Sequence, residues 1–455
     1  MTLADPQQKM EAHLDNYEAF AASAGGPAWL TAFREAGIRR FDTAGFPGKL
    51  DEAWRYTRIR PIVETQWKLL GEADTAEAKK VFDRFTLGDA AAVELVFVNG
   101  RFNPELSKLA DVGAKVTVGP LADHLNDAEV KDRLGKLADI EANPFVAINA
   151  GFVADGGFIK LARSAVVEKP IHLLFIVTPE AEPGVCHPRT LILAEDNAEA
   201  TLVESYVGPE HGTYFTNAVT ECFAGSDCRL NHYKLNQESP EAFHVATFES
   251  TIGKQTNFAS QSATIGSLIT RNDLNVHLAG EYAEAVLNGL VVGIGERHVD
   301  NHTLLDHQAP NCPSYELYKH VLDDKSTGIF KGKIFVAKAA QKTDSKQNSR
   351  TLLLSDTAGM NSQPALEIYA DDVKCTHGST TGPVDDEAVF YLNSRGVDQT
   401  KARRLLTYAF AADLTRRIAV VPIRERLENH LAALHGLPTD LRIQDLAEAR
   451  EGVVF

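Results

Sequence analysis

The stretch SLITRNDLNVHLAGEYAEAVLNGLVVGIGERHVDNHTLLDHQAPNCPS, Ser267 to Ser314, decides how the chain is read. Short runs of alternating apolar and polar residues begin near Ser267, Ala283, His298 and Ser314, so successive starts differ by roughly 16, 15 and 16 residues. Such spacing is that of a solenoid in which each run stacks on the next. The parity holds where a one-sided strand needs it, with Leu274, Val276 and Leu278 together and Tyr315 with Leu317. Asn288-Gly289 is the only two-residue hairpin signal in this region, which favours short parallel rungs, but spacing alone leaves a Greek-key sandwich open.

Outward from this stretch, the same Val-, Ile-, Thr- and Tyr-rich texture extends from about Gly151 to Gly382. It is flanked by helical pattern on both sides. Leu14, Tyr17 and Ala21, then Trp29, Leu30 and Phe33, recur at helical spacing, with Pro27 suited to an early position of the second helix. A short strand is expected over Val93 to Val98, ending at Asn99-Gly100, and helical pattern returns around Leu121 to Asp139. Beyond Gly382, Pro383-Val-Asp-Asp-Glu387 opens a helix that Arg395-Gly396 stops. A second helix runs from about Asp398 to Ile418, and Ile423, Leu427, Leu431 and Leu434 mark a third. The expected organisation is an N-terminal mainly helical domain over 1–150, a β core over 151–382 and a C-terminal helical domain over 383–455.

The 455 residues carry 62 acidic against 46 basic side chains, a net charge of -16, which repels a phosphate backbone and argues against nucleic acid as partner. The N-terminus lacks a signal-peptide pattern, and no apolar run approaches a membrane span, so the reading is cytoplasmic with no membrane partner. Cys186, Cys222, Cys228, Cys312 and Cys375 have no C-x-x-C spacing and read as reduced thiols.

No catalytic engine is legible. The nearest approach to a nucleotide loop, Gly328-Ile-Phe-Lys-Gly332-Lys333-Ile334, is one residue short and has Ile where a magnesium-binding hydroxyl belongs. His298, His302 and His307 read as polar rung or interface residues, because in an extended chain the first two stand about 13 Å apart and the third has opposite parity. An independent metal site built on them is the lesser alternative. In Asp371-Asp-Val-Lys-Cys-Thr-His-Gly378, Cys375 and His377 share one strand face at roughly 6.6 Å, close enough for one metal centre but too few to close it. A buried thiol beside a hydrogen-bonded imidazole is the competing reading.

The run Asp371 to Gly382 (DDVKCTHGSTTG), continuing through Asp385-Asp-Glu-Ala-Val-Phe-Tyr-Leu-Asn-Ser-Arg-Gly396, resembles the SufD branch of the SufB/SufD family of iron-sulfur cluster assembly proteins. Arg271-Asn-Asp-Leu-Asn275, Gly280, His302 and Gly328-Ile-Phe-Lys-Gly332 are similar to the core that SufB and SufD share, and Glu52-Ala-Trp-Arg-Tyr-Thr57 to a SufD N-terminal motif. The resemblance implies a right-handed parallel β-helix core between helical domains. It also implies a non-catalytic scaffold subunit of the SufBCD complex, pairing with SufB and docking the ABC-type ATPase SufC. SufC would dock on the C-terminal helices, with Arg395, Gly396, Arg403, Arg404 and Leu405 as contacts, and nucleotide-driven closure would pull on those helices. His377 would be a metal ligand of the nascent cluster site shared with SufB, with Cys375 a weaker candidate. The isolated chain is expected to hold no tight cofactor, the cluster being transient in the complex. An unpaired β-helix edge would also let the isolated chain form a homodimer. A carbohydrate-active β-helix enzyme is the alternative from a different class.

Overall fold

Asn197, Asp227, Gln255, Tyr282, Asn311 and Lys342 all adopt positive φ between 56° and 64°, recurring at intervals of 30, 28, 27, 29 and 31 residues. Of the residue types at these positions only Asn and Asp accept this left-handed conformation readily, so the others are held there by their surroundings. Each lies at the same corner of successive turns and donates its backbone N–H to a carbonyl one turn further on: Asn197 to Ser226, Asp227 to Lys254, Gln255 to Glu281, Tyr282 to Pro310, Asn311 to Gln341 and Lys342 to Asp372. The corners therefore continue the hydrogen-bond ladder of the sheets, and each of these six N–H groups keeps a partner at the bend.

The computed structural model describes residues 6–48, 51–71, 73–180, 182–434 and 436–437. Its core is a β-solenoid of about eight turns, the expected β-helix class. Strands alternate between two parallel sheets. One sheet runs through Val93–Val98, Ile171–Ile176, Glu199–Val207, Arg229–Gln237, Asn257–Thr264, Glu284–Gly293, Pro313–Leu322, Asp344–Leu353 and Lys374–Gly382. The facing sheet runs through Gly157–Leu161, Arg189–Ala194, Tyr214–Ala224, Phe243–Ile252, Ile269–Leu278, His298–His307 and Thr327–Val336 to Gly359–Ser362 and Ala365–Ile368.

The runs read from sequence are half-turns, which corrects the expectation that each stacks on the next. Ile269 pairs with His298 and His298 with Thr327, while Ala285 pairs with Ser314, so a full turn takes 29 residues and a run stacks on the next but one. Inward side chains of both sheets, among them Phe175, Tyr206, Phe248, Phe258, Val276, Leu287 and Ile334, form one continuous core.

Val93–Val98 is the first strand of this solenoid although it lies within the stretch expected to be a mainly helical domain; at Asn99 (φ 52°) and Gly100 (φ 79°) it turns back into Arg101–Phe102. The Leu121 to Asp139 segment is helical only over Leu121–His124 and Ala128–Arg133. Helices Pro6–Ser23 and Ala28–Ala44 cover the side of the solenoid together with Pro144–Gly151. Gly37 permits that crossing, since a Cβ there would sit 2.6 Å from the Ala147 carbonyl oxygen.

The three C-terminal helices are Asp386–Ser394, Gln399–Thr415 and Val421–Leu434. Asp385 and Asp398 cap the first two by accepting from the N–H groups of Glu387 and Lys401, and Gly396 (φ 85°) ends the first. Tyr408, Ala411, Leu414, Ile418, Ile423, Leu427 and Leu431 bury one face against Tyr233, Leu235, Leu290, Val292 and Val321 on the outside of the first sheet. Lys319 reinforces this contact by donating to the Phe410 carbonyl at 3.0 Å and pairing with Asp413 at 2.7 Å. The part of the expected C-terminal helical domain that follows Leu437 lies outside the described residues.

Candidate functional site

The solenoid ends on Lys374–Gly382. This strand pairs in parallel with Asp344–Leu353 along one edge, with Cys375 opposite Ser345 and His377 opposite Gln347, and no other described strand covers its free edge. Ser345 and Gln347 are buried, so Cys375 and His377 occupy the inward-facing phase of the final rung. Having no rung beyond it, the same phase is open here: His377 is exposed, while Cys375 is half-buried against the core. Burial raises the Cys375 thiol above its usual range, outweighing a backbone hydrogen bond from Ser345. Among the described residues no group of three or more His, Cys, Asp or Glu side chains is arranged to hold a metal ion. His377 and Cys375 could therefore supply a part of a coordination sphere, with the remainder coming from elsewhere.

The interior directly beneath this strand differs from the rest. On Glu284–Gly293 the inward residues are Ala285, Leu287, Gly289 and Val291, an apolar layer. On the next strand the matching positions are Ser314, Glu316, Tyr318 and His320, then Ser345, Gln347, Ser349 and Thr351, all buried. Burial pushes the Glu316 carboxyl up to about 7. The motif glycines make room for this layer. A Cβ at Gly332 would stand 2.3 Å from Gln347 Nε2, and one at Gly328 3.3 Å from the His320 ring.

A second constellation explains the other motif residues. Arg271 lies with its guanidinium 4.4 Å from the centre of the Trp54 ring and bonds Asp273 at 2.7 Å, Asp300 at 2.8 Å and the Ala53 carbonyl at 2.9 Å. Thr57 donates to Asp300 at 2.5 Å. Burial alone would raise the Asp300 carboxyl, but Arg271 and His302 overcome it and hold the group well below the usual carboxylate range. These bonds fasten the Glu52 to Thr57 segment to the solenoid, so the residues serve docking within the chain. His298, buried and depressed to about 4 by desolvation, accepts from the Arg58 N–H at 3.4 Å, and His307 points inward to Ser314 at 2.9 Å. The three histidines thus serve three different environments.

The five residues expected on the partner-docking helices are divided. Arg395 and Gly396 are exposed at the helix stop, and Arg403 bonds Asp386 at 2.6 Å across the two helices. Arg404 is exposed, whereas Leu405 packs partly into the module's own core and is only half available. Phe390 and Tyr391, 74% and 38% exposed, were passed over in the sequence. Within DDEAVFYLNSRG no local pattern marks them as surface residues, and it is the helix phase that turns them outward. Cys186, Cys222, Cys228 and Cys312 are buried free thiols, and no described helix is long and apolar enough to cross a membrane.

Comparison with known proteins agrees with this architecture. The family model described as SUF system FeS cluster assembly, SufBD core domain, matches residues 175–410, and that described as SufBD protein N-terminal region matches residues 8–173. An iron-sulfur cluster assembly SufBD family protein of Synechocystis is 31% identical over 394 residues, covering 84% of this chain and 86% of its own. The iron-sulfur cluster assembly protein SufD of Escherichia coli is 32% identical over 404 residues, covering 86% and 92%. A SufD of Bacillus subtilis is 27% identical over 294 residues, covering 63% and 66%. With two family models spanning most of its length and relatives of this similarity, the chain belongs to the SufBD family of iron-sulfur cluster assembly proteins.

Proposed function

We propose that this chain is the SufD-type, non-catalytic subunit of a SufBCD assembly, working in the cytoplasm and offering His377 to a nascent iron-sulfur cluster that a SufB-like partner completes. The observation that carries this reading is the solenoid's last strand, one edge of which no described strand pairs and which holds an exposed imidazole beside a half-buried thiol. An open parallel edge is a template for a strand of another chain, and a second chain is what an incomplete ligand set requires. Cys375 is the lesser ligand, since its thiol must first lose a proton that burial holds in place.

Docking of a SufC-like ATPase falls to the helices after the strand. His377 and the cap residue Asp385 are separated by only a short connection, and Lys319 ties Gln399–Thr415 to the strand two rungs before the edge. A pull on Asp386–Ser394 would thus act on the site at short range. Phe390 and Tyr391 supply the aromatic anchors such an interface uses, with Arg395, Arg403 and Arg404 around them.

The test is anaerobic affinity capture of tagged chain from its native host, compared with Phe390→Asp. Wild type should retain both a paralogous β-helix protein and an ABC-type ATPase, and the variant should lose the ATPase alone. Capture of neither protein would refute the assignment, and an unaltered ATPase yield from the variant would move the docking surface elsewhere.

A further inference from the structure

The polar layer under the final strand contains a pair that the solenoid does not need. Gln347 is fully buried, and its Nε2 donates to Glu316 Oε2 at 2.6 Å. The remaining oxygens of both side chains, Gln347 Oε1 and Glu316 Oε1, are buried without a hydrogen-bond partner. The Thr303 hydroxyl is near enough to ease the charge on Glu316 but makes no hydrogen bond. No cation pairs with this carboxylate among the described residues. Orphaned buried oxygens are costly, and the preceding rung fills the same column with Leu287, which shows that an apolar side chain fits the fold there. Gly332 gives up its own side chain so that Gln347 can reach inward.

The column does not end at Gln347. Across the ladder Glu316 is opposite Gln347, and Gln347 is opposite His377, in the same inward phase. The exposed His377 ring does not make this contact in the structure, where Gln347 Oε1 is unpartnered, but neighbouring strands stand about 4.8 Å apart, so a rotation of the imidazole over the rung would bring a ring N–H within reach of the amide oxygen. An imidazole that ligates a metal through one nitrogen characteristically gives the proton on the other to a carbonyl or carboxylate, which fixes its tautomer and orientation.

We propose that Gln347, clamped by Glu316, is a positioning residue for His377: its unused Oε1 receives one ring N–H and leaves the other ring nitrogen facing outward as the ligand. The proposal rests on His377 being the cluster ligand. Glu316 acts through Gln347, holding the NH2 group so that the carbonyl end of the amide is the one presented to the last rung.

The experiment has two readouts. In the isolated chain labelled with 15N-histidine, with His377→Ala supplying the assignment, the His377 ring should show one dominant tautomer. Gln347→Leu should return it to the mixture of a free imidazole, while Gln347→Glu, which keeps an acceptor, should preserve the bias. In the anaerobically assembled complex, Gln347→Leu should weaken cluster binding about tenfold or more, and Gln347→Glu should restore most of it. Gln347→Leu alone strips the buried Glu316 of its donor, so the double variant Glu316→Leu/Gln347→Leu, which strands neither group, serves as the folding control: it should unfold no more easily than wild type and show the same loss of cluster, which then does not reflect unfolding. A free-imidazole mixture in wild type, or ring signals unchanged in Gln347→Leu, overturns the proposal. If the ring responds but His377→Ala leaves cluster content unaltered, the positioning contact stands and the ligand assignment falls.

Discussion

Replacing Arg271 by leucine should undock the Glu52 to Thr57 segment and cost about 3–5 kcal/mol, the usual penalty for breaking a buried ion pair from one side. The magnitude follows from what stays behind. Asp300 is fully buried and would keep only Thr57 and His302, while Ala53 would lose its donor and Trp54 the cation beside its ring. The sign of the pH dependence is fixed by the same geometry. In wild type, Asp300 is held below its unfolded value, so it contributes stability that is complete above about pH 4 and lost as acidification passes the folded value. In the variant burial dominates and the carboxyl rises above its unfolded value. The deficit should then be largest at neutral pH and narrow as the pH falls toward about 4. Urea unfolding followed by tryptophan fluorescence, with hydrogen exchange over residues 51–64, measures both the total and its location. Adding Asp300→Asn should recover much of the loss by removing the stranded charge. A variant within about 0.5 kcal/mol of wild type, the range of ordinary surface changes, would refute the assignment of Arg271 as the docking centre.

Three further outcomes are expected. Gly332→Ala should destabilise by about 1–3 kcal/mol in thermal or chemical unfolding, because its Cβ would collide with Gln347 and with Phe330 at 2.7 Å, whereas Gly359→Ala, with open space around it, should be near neutral. Lys319→Met should lose about 1–2 kcal/mol, with faster hydrogen exchange concentrated in Gln399–Thr415, since it removes the donors to Phe410 and Asp413. Under native conditions a bulky thiol reagent should modify Cys375 well before the four buried cysteines, with all five reacting after denaturation; early labelling of Cys222 or Cys312 would contradict the packing.

The fold class was legible because the Ser267 to Ser314 stretch keeps its apolar parity and nearly constant spacing. What spacing did not show is that two runs make one turn. The residues that bear that information are the corner positions Asn197, Asp227, Gln255, Tyr282, Asn311 and Lys342, and they share a conformation without sharing a side-chain type. The first solenoid strand, Val93–Val98, was recognised as a strand, but its partner Ile171–Ile176 lies 78 residues further on, beyond the reach of local pattern. At the site, the CTHG run marked the last rung from its motif and face. The layer beneath was invisible, since in Ser345-Lys-Gln-Asn-Ser-Arg-Thr351 both parities are polar and hydropathy cannot tell inside from outside. Likewise nothing in the sequence singled out Phe390 and Tyr391, because composition does not specify which helix face remains uncovered.

The most direct test of the central claim is cluster content in the complex carrying His377→Ala, assembled and purified anaerobically and assayed for iron and acid-labile sulfide beside wild type. His377 is exposed and makes no hydrogen bond among the described residues, so its removal should leave folding and subunit composition intact. The variant complex should assemble normally and lose most of its iron and sulfide. Wild-type iron and sulfide in an intact variant complex would contradict that claim.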